Sequence, residues 1–185
     1  MKIAQSETRD KFPLSTKKVL KKTVMGTLVW AILLLTIWGV LAFALSSETE
    51  ASGYLGIATV GIFGLMFIII LVVYLYQRWY YAVYFYDLTN DFIIIKKGPI
   101  TPMEITIPYE RVQDIYVDQD LLDRIFGLYD VHLSSATISS GMEAHIDGVE
   151  KPAADGLRKM LLETIQQKIS KNRGQNLNTN SQINQ

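Results

Sequence analysis

The sequence predicts a two-helix transmembrane hairpin followed by a small α+β domain, an antiparallel curved sheet or partial barrel closed by a C-terminal helix. Three observations predict it. Thr23 to Leu45 and Tyr54 to Tyr76 are long apolar runs with no charged residue in either. From Tyr81 onward, short β-like runs alternate with turn residues, and after Pro152 apolar residues recur at helical spacing.

A helix rises about 1.5 Å per residue, so a run of roughly 23 residues reaches about 34 Å, against a hydrocarbon core of about 30 Å. Backbone polar groups in lipid must be satisfied within the segment, so both runs read as helices even through Ile68-Ile69-Ile70 and Val72-Val73. The first run exceeds the apolar region of a signal peptide, and Ser46-Ser47-Glu48 offers no small-x-small cleavage site. The short Ser46 to Gly53 linker joins helices at about 23–45 and 54–76 into a hairpin over 23–76. Lys11, Lys17, Lys18, Lys21 and Lys22 precede the first span and Arg78 follows the second, whereas the linker holds Glu48 and Glu50. That bias predicts a multi-pass cell-membrane protein with both termini cytoplasmic.

Trp30, Trp38, Tyr54, Tyr74, Tyr76, Trp79, Tyr80 and Tyr81 include several residues near the expected membrane interfaces, of which Trp38 is deeper and fits less well. The spans carry no ionisable residue of the kind that lines proton or ion paths. Ala58, Gly61 and Gly64 recur every three residues and offer a face for close helix packing, either within the hairpin or between copies of the chain.

The formal net charge of zero conceals a segregation. Residues 1–22 hold seven Lys/Arg against two Asp/Glu and read as a basic cytoplasmic arm, whereas 77–185 hold eleven against fourteen. The arm serves topology or attraction to an anionic leaflet. Cysteine is absent, which excludes disulfides, thiolate metal sites and cysteine nucleophiles. Residues 79–171 suffice for one small cytoplasmic domain. The Asn/Gln-rich stretch 172–185 has almost no apolar residues and reads as a disordered tail.

Within the domain, Tyr84-Phe85-Tyr86 and Phe92-Ile93-Ile94-Ile95 flank Asp87-Leu88-Thr89-Asn90-Asp91, a hairpin with Asx turn chemistry. Gly98-Pro99 ends the second strand, Ile105 and Ile107 alternate toward Pro108, and Val112 to Val117 is another β-like run. Gln119 to Gly127 suits a short helical turn capped by glycine, with strands at Val131 to Ser135 and Met142 to Val149. Leu157, Met160, Leu161, Ile165 and Ile169 form the apolar stripe of a final helix with Pro152 in its first turn.

Three stretches in this order carry a resemblance: Tyr86 to Gly98 (YDLTNDFIIIKKG), Ile107 to Ile115 (IPYERVQDI) and Leu121 to Leu128 (LLDRIFGL). Together they resemble the bacterial pleckstrin-homology-like, membrane-flanked family that includes YdbS-like proteins. The resemblance covers most of residues 80–168. It implies a pleckstrin-homology-like sheet with a C-terminal helix, and the family has no general enzymatic activity or agreed ligand to carry over. It further implies a partner membrane protein carrying related domains, in envelope stress or antimicrobial tolerance. It supplies no catalytic residue and no cofactor.

The chemistry-bearing residues agree with that reading. Phosphoinositide-binding pleckstrin-homology domains gather Lys and Arg at the first hairpin loop, since a polyanion needs converging cations, but this loop reads Leu88-Thr89-Asn90-Asp91. Lys96 and Lys97 stand at the far end of the next strand. If the following hairpin turns at Ile138-Ser139, residues whose numbers sum to 277 stand opposite: Val131 with Ile146, Leu133 with Ala144, Ser135 with Met142, His132 with His145 and Ser134 with Glu143. His132, His145 and Glu143 are then candidate zinc ligands, against the plainer reading as polar-face residues, with no HExxH spacing. Asp114, Asp118, Asp120 and Asp123 lack EF-hand spacing and read as a solvated face. No P-loop, dinucleotide fingerprint or nucleophile elbow occurs, and an acidic domain without a basic stripe argues against nucleic acid.

The leading expectation is a non-enzymatic membrane protein whose domain mediates protein assembly, by strand addition or through a groove between sheet and helix. Its partners are membrane lipids and another membrane protein, or a second copy. The alternative is anionic-lipid sensing through Lys17, Lys18, Lys21, Lys22, Arg78, Lys96 and Lys97.

Overall fold

A computed structural model describes residues 6–45, 52–135 and 144–183. The chain divides into two units, one of residues 19–82 and the other of residues 1–18 with 83–185.

The first unit is a pair of helices. α2 (Lys17–Leu45) and α3 (Ser52–Val83) are long and apolar enough to cross a membrane. The hydroxyls of Thr23, Thr27, Thr36 and Thr59 each donate to the carbonyl one turn earlier, at 2.7–2.8 Å. Such back-bonding satisfies a hydroxyl without leaving the helix. Trp38, out of place for an interfacial belt, donates from its indole N–H to Thr59 Oγ1 at 3.0 Å and meets Phe63 edge to face at 6.4 Å. It pins one helix to the other.

Among the described glycines of the two helices, Gly26 is the one where an added Cβ would meet the other helix, 3.2 Å from Val73. Gly61 and Gly64 would meet nothing within 4 Å, so these two members of the Ala58, Gly61 and Gly64 face do not pack against α2. Both helices outrun the apolar runs. α2 starts at Lys17 because lysine is a good helix former, and α3 passes unbroken through Gln77-Arg78-Trp79, where no Gly or Pro interrupts it. The Ser46–Ala51 part of the linker lies outside the described residues.

The second unit holds two three-stranded antiparallel sheets. One contains β1 (Phe85–Leu88), β2 (Phe92–Lys97) and β3 (Met103–Pro108) in that order. The other contains β4 (Val112–Asp118), β5 (Leu128–Ser135) and β6 (Ala144–Glu150). A single 3-10 turn at Tyr109–Arg111 leads from β3 to β4, and α4 (Leu121–Phe126) leads from β4 to β5. Asp120 caps α4 by accepting from Asp123 N–H, and Gly127 ends it at φ 68°, a left-handed C-cap that glycine adopts without Cβ strain.

The expected strands form within the described residues, and alternation buries one face of β1, β2, β3 and β5, through Tyr86, Ile93, Ile95, Ile107, Val131 and Leu133, whereas β4 has no fully buried residue and β6 buries residues 146–149 in succession. α5 (Lys151–Ile183) packs on β4, β5, β6 and the 3-10 turn, and buries Ala154, Leu157, Leu161 and Ile165 there. Of the expected stripe, Ile169 is exposed. The expected disordered tail is helical through Ile183, because a helix already nucleated extends at little cost per residue.

The expected basic arm over 1–22 is not one element. Ser6 to Lys18 form a strap on the sheets, while Val19 to Lys22 belong to α2. Within the strap, α1 (Glu7–Lys11) packs on β1 under an N-cap from Ser6. Phe12 lies against Gly156 of α5, so closely that a Cβ there would collide with the ring, and its carbonyl accepts from the Tyr86 hydroxyl. Apolar periodicity could not show this docking, because Ser6, Thr8, Phe12 and Leu14 are held mostly by hydrogen bonds and single contacts.

Candidate functional site

Two three-stranded sheets have four outer strands, β1, β3, β4 and β6. The strap occupies two of these edges. At β1, the Ser6 hydroxyl donates to the Tyr86 carbonyl at 2.7 Å and sits 2.8 Å from the Asp87 carboxylate, and Thr8 Oγ1 accepts from Leu88 N–H at 3.1 Å. At β6, Leu14 bridges to Val149 and Ser15 N–H donates to the Gly148 carbonyl at 2.9 Å. Among the described residues no further strand pairs with β3 or β4. An edge strand presents main-chain donors and acceptors that an added strand can meet. β3 exposes Met103, Glu104 and Thr106, and β4 exposes Gln113, Asp114, Tyr116 and Asp118.

The strap ends in a buried ion pair. Lys18 Nζ donates to Asp147 Oδ1 at 2.6 Å and to the Asp147 carbonyl at 2.9 Å, and lies 3.9 Å from the Tyr84 ring centroid. Its stem crosses Gly148, where a Cβ would stand 2.6 Å from Lys18 Cδ. Glycine is needed there twice over, for that approach and for φ 77°.

The basic residues expected to face lipid fall in both units, Lys17, Lys18, Lys96 and Lys97 in one and Lys21, Lys22 and Arg78 in the other. Of the residues expected to face lipid, Lys18 and Lys21 are buried. Lys18 is drawn in by Asp147, a residue no local pattern connects to it. Lys17 pairs with Glu150 at 3.0 Å, and this contact, with help from Ser15, holds the Glu150 carboxyl below its ordinary range. Lys96 pairs with Glu104, directly opposite on β3, at 3.0 Å. Lys22 and Lys97 are half-buried, and Arg78 is exposed on α3.

The first hairpin loop is closed by hydrogen bonds rather than cations. Thr89 bonds Phe92 through both side chain and backbone, and the buried Tyr109 hydroxyl donates to the Thr89 carbonyl at 2.9 Å. Burial first, then the nearby Asp87 and Asp91 carboxylates, raise the Tyr109 phenol to about 12. Lys168 on α5 reaches Asp91 at 2.6 Å.

The β5–β6 hairpin keeps the register derived from the sequence, with Val131 opposite Ile146, His132 opposite His145 and Leu133 opposite Ala144. The two imidazoles stack at 5.4 Å, with Tyr116 on the other side of His132 at 4.7 Å and 1° interplanar angle. His132 Nε2 lies 3.1 Å from Asp118 Oδ1. Glu143, Met142 and the Ile138-Ser139 turn lie outside the described residues. Sequence reasoning missed Asp130 and Asp147, because the bulge between Tyr129 and Val131 and the bonds from Gly148 and Lys18 give them roles that alternation does not show. Gly148 inside the β6 strand was the available signal for the bulge.

The sequence matches the bacterial PH domain family over residues 18–165. No curated protein and no solved structure matches it.

Proposed function

The chain belongs to the bacterial PH domain family, and from that premise we propose that it is a non-enzymatic membrane protein whose domain assembles with another protein by strand addition at β3 and β4. The observation that carries this is the asymmetry of the edges: the chain's own strap covers β1 and β6, and among the described residues no strand pairs with the outer side of β3 or β4. The groove between sheet and helix is the weaker site, since Leu157, Leu161 and Ile165 fill that interface. The lysines flanking the apolar helices support insertion in the cell membrane with both termini cytoplasmic. The resemblance to YdbS-like proteins makes the partner a membrane protein with related domains, in envelope stress or antimicrobial tolerance.

Anionic-lipid sensing is less well supported, because Lys18 is buried and Lys17 and Lys96 already hold carboxylates. Site-specific photo-crosslinking in native membranes tests the choice, with the reactive residue at Thr106 or Gln113 and a control at the exposed Lys159 of α5. Strand addition predicts adducts from Thr106 and Gln113 to one segment of one protein, absent from Lys159. Adducts to lipid alone, or equal labelling from all three positions, would end the proposal.

A further inference from the structure

We propose that Asp118, Asp130 and His132 form a binding site for a divalent transition-metal ion, with zinc the best match to its donors. Each residue offers one ligand atom, and these atoms lie within 4.8 Å of one another. Tetrahedral zinc with bonds of about 2.0–2.2 Å needs donors roughly 3.4 Å apart. Rotation of the exposed Asp118 side chain can supply that contraction.

Three features of the fold point to a cation. Asp118 and Asp130 stand directly opposite each other on β4 and β5, which brings two carboxylates to one place on the sheet. His132 is clamped between Tyr116 and His145, which leaves its Nε2 aimed at Asp118. Asp130 Oδ1 accepts from Gly148 N–H at 2.7 Å, so this carboxylate is oriented by the β6 backbone. Ligands held from behind by hydrogen bonds and packing are the arrangement that makes a metal site rigid.

The donor set decides the metal class. One imidazole with two carboxylates suits zinc or a neighbouring first-row dication, while the imidazole disfavours calcium, which takes oxygen ligands. Solvent supplies the fourth position. The site differs from a His132–His145 chelate, since His145 here stacks on the ligand ring and acts as a positioning residue. It stands independently of the assembly reading.

The competing arrangement is a direct hydrogen bond between Nε2 of His132 and Asp118 Oδ1 in place of a metal bond. The test uses the untagged full chain in detergent, stripped with chelator, titrated with zinc chloride by calorimetry and with cobalt(II) by visible absorption. One zinc per chain is expected. Asp118→Asn, Asp130→Asn and His132→Gln should each weaken zinc at least tenfold and abolish the cobalt ligand-field bands, whereas His145→Phe, which keeps a stacking ring, should stay within threefold. Asp130→Asn retains an oxygen for Gly148 N–H, and circular dichroism reports whether each variant stays folded. The proposal is overturned if the native chain binds zinc no more tightly than an Asp118→Asn, Asp130→Asn double variant. It is also overturned if His145→Phe abolishes binding while folded Asp130→Asn keeps it.

Discussion

Lys18 and Asp147 lie 129 residues apart in sequence and 2.6 Å apart in space, and their side chains are 4% and 9% exposed. Removing one partner from such a pair strands the other charge in a poorly hydrated site, which typically costs about 3–5 kcal/mol. Lys18→Met should therefore destabilise the second unit by about that much, measured by urea unfolding of the detergent-solubilised chain. Adding Asp147→Asn should recover part of the loss. A single-variant cost below about 1 kcal/mol would show that water or rearrangement already shields the pair.

Gly148 and Gly127 separate two reasons for glycine. Both have positive φ, 77° and 68°, but a Cβ at Gly148 collides with Lys18 whereas one at Gly127 meets nothing within 4 Å. Gly127→Ala should cost about 1 kcal/mol from backbone strain alone, and Gly148→Ala clearly more. Equal shifts in thermal midpoint would contradict the close packing of the strap on β6.

Phe12 and Gly156 should couple strongly. Alanine at Gly156 would press on the Phe12 ring and loosen the strap, at a cost of about 1–3 kcal/mol. In a Phe12→Ala background the clash is gone, and the same Gly156→Ala change should become neutral or stabilising, because alanine favours helix over glycine by up to about 1 kcal/mol. A double-mutant cycle, read by unfolding and by proteolysis within residues 6–18, checks the reversal of sign. Additive effects would place Phe12 elsewhere in solution.

Tyr109 sets an alkaline limit. Its phenol is raised from 10.0 to about 12 in the folded state, so the neutral form is favoured by folding. That contribution is complete below pH 10 and is lost as pH rises from about 10 to about 12, where the unfolded chain releases its proton first. Tyr109→Phe should cost about 1 kcal/mol at neutral pH through the lost bond to the Thr89 carbonyl. The same variant should flatten the decline in stability above pH 10. Parallel alkaline profiles for the two proteins would remove Tyr109 as the cause.

The candidate sites were legible to different depths. His132 opposite His145 follows from hairpin arithmetic, because consecutive antiparallel strands set their register locally. Asp118 opposite Asp130 does not, since the pairing of β4 with β5 crosses α4 and includes a register shift between Val112 and Asp114. The strap was misread for a similar reason. Its charge suggested a membrane-facing arm, yet Ser6, Thr8, Ser15 and Lys18 spend their polar groups on β1 and β6.

By itself, the amino-acid order determined the two long apolar helices, the succession of strands, the buried alternation of β2 and β5 and the C-terminal helix. Those features rest on periodicities of 2 and 3.6 residues and on turn chemistry, which act over a few neighbours. Tertiary structure alone decided that the N-terminal segment closes two sheet edges, that Lys18 is an interior cation, and that Asp118, Asp130 and His132 converge. Each depends on contacts between distant segments, whose partners are chosen by charge and steric fit after the sheets have formed.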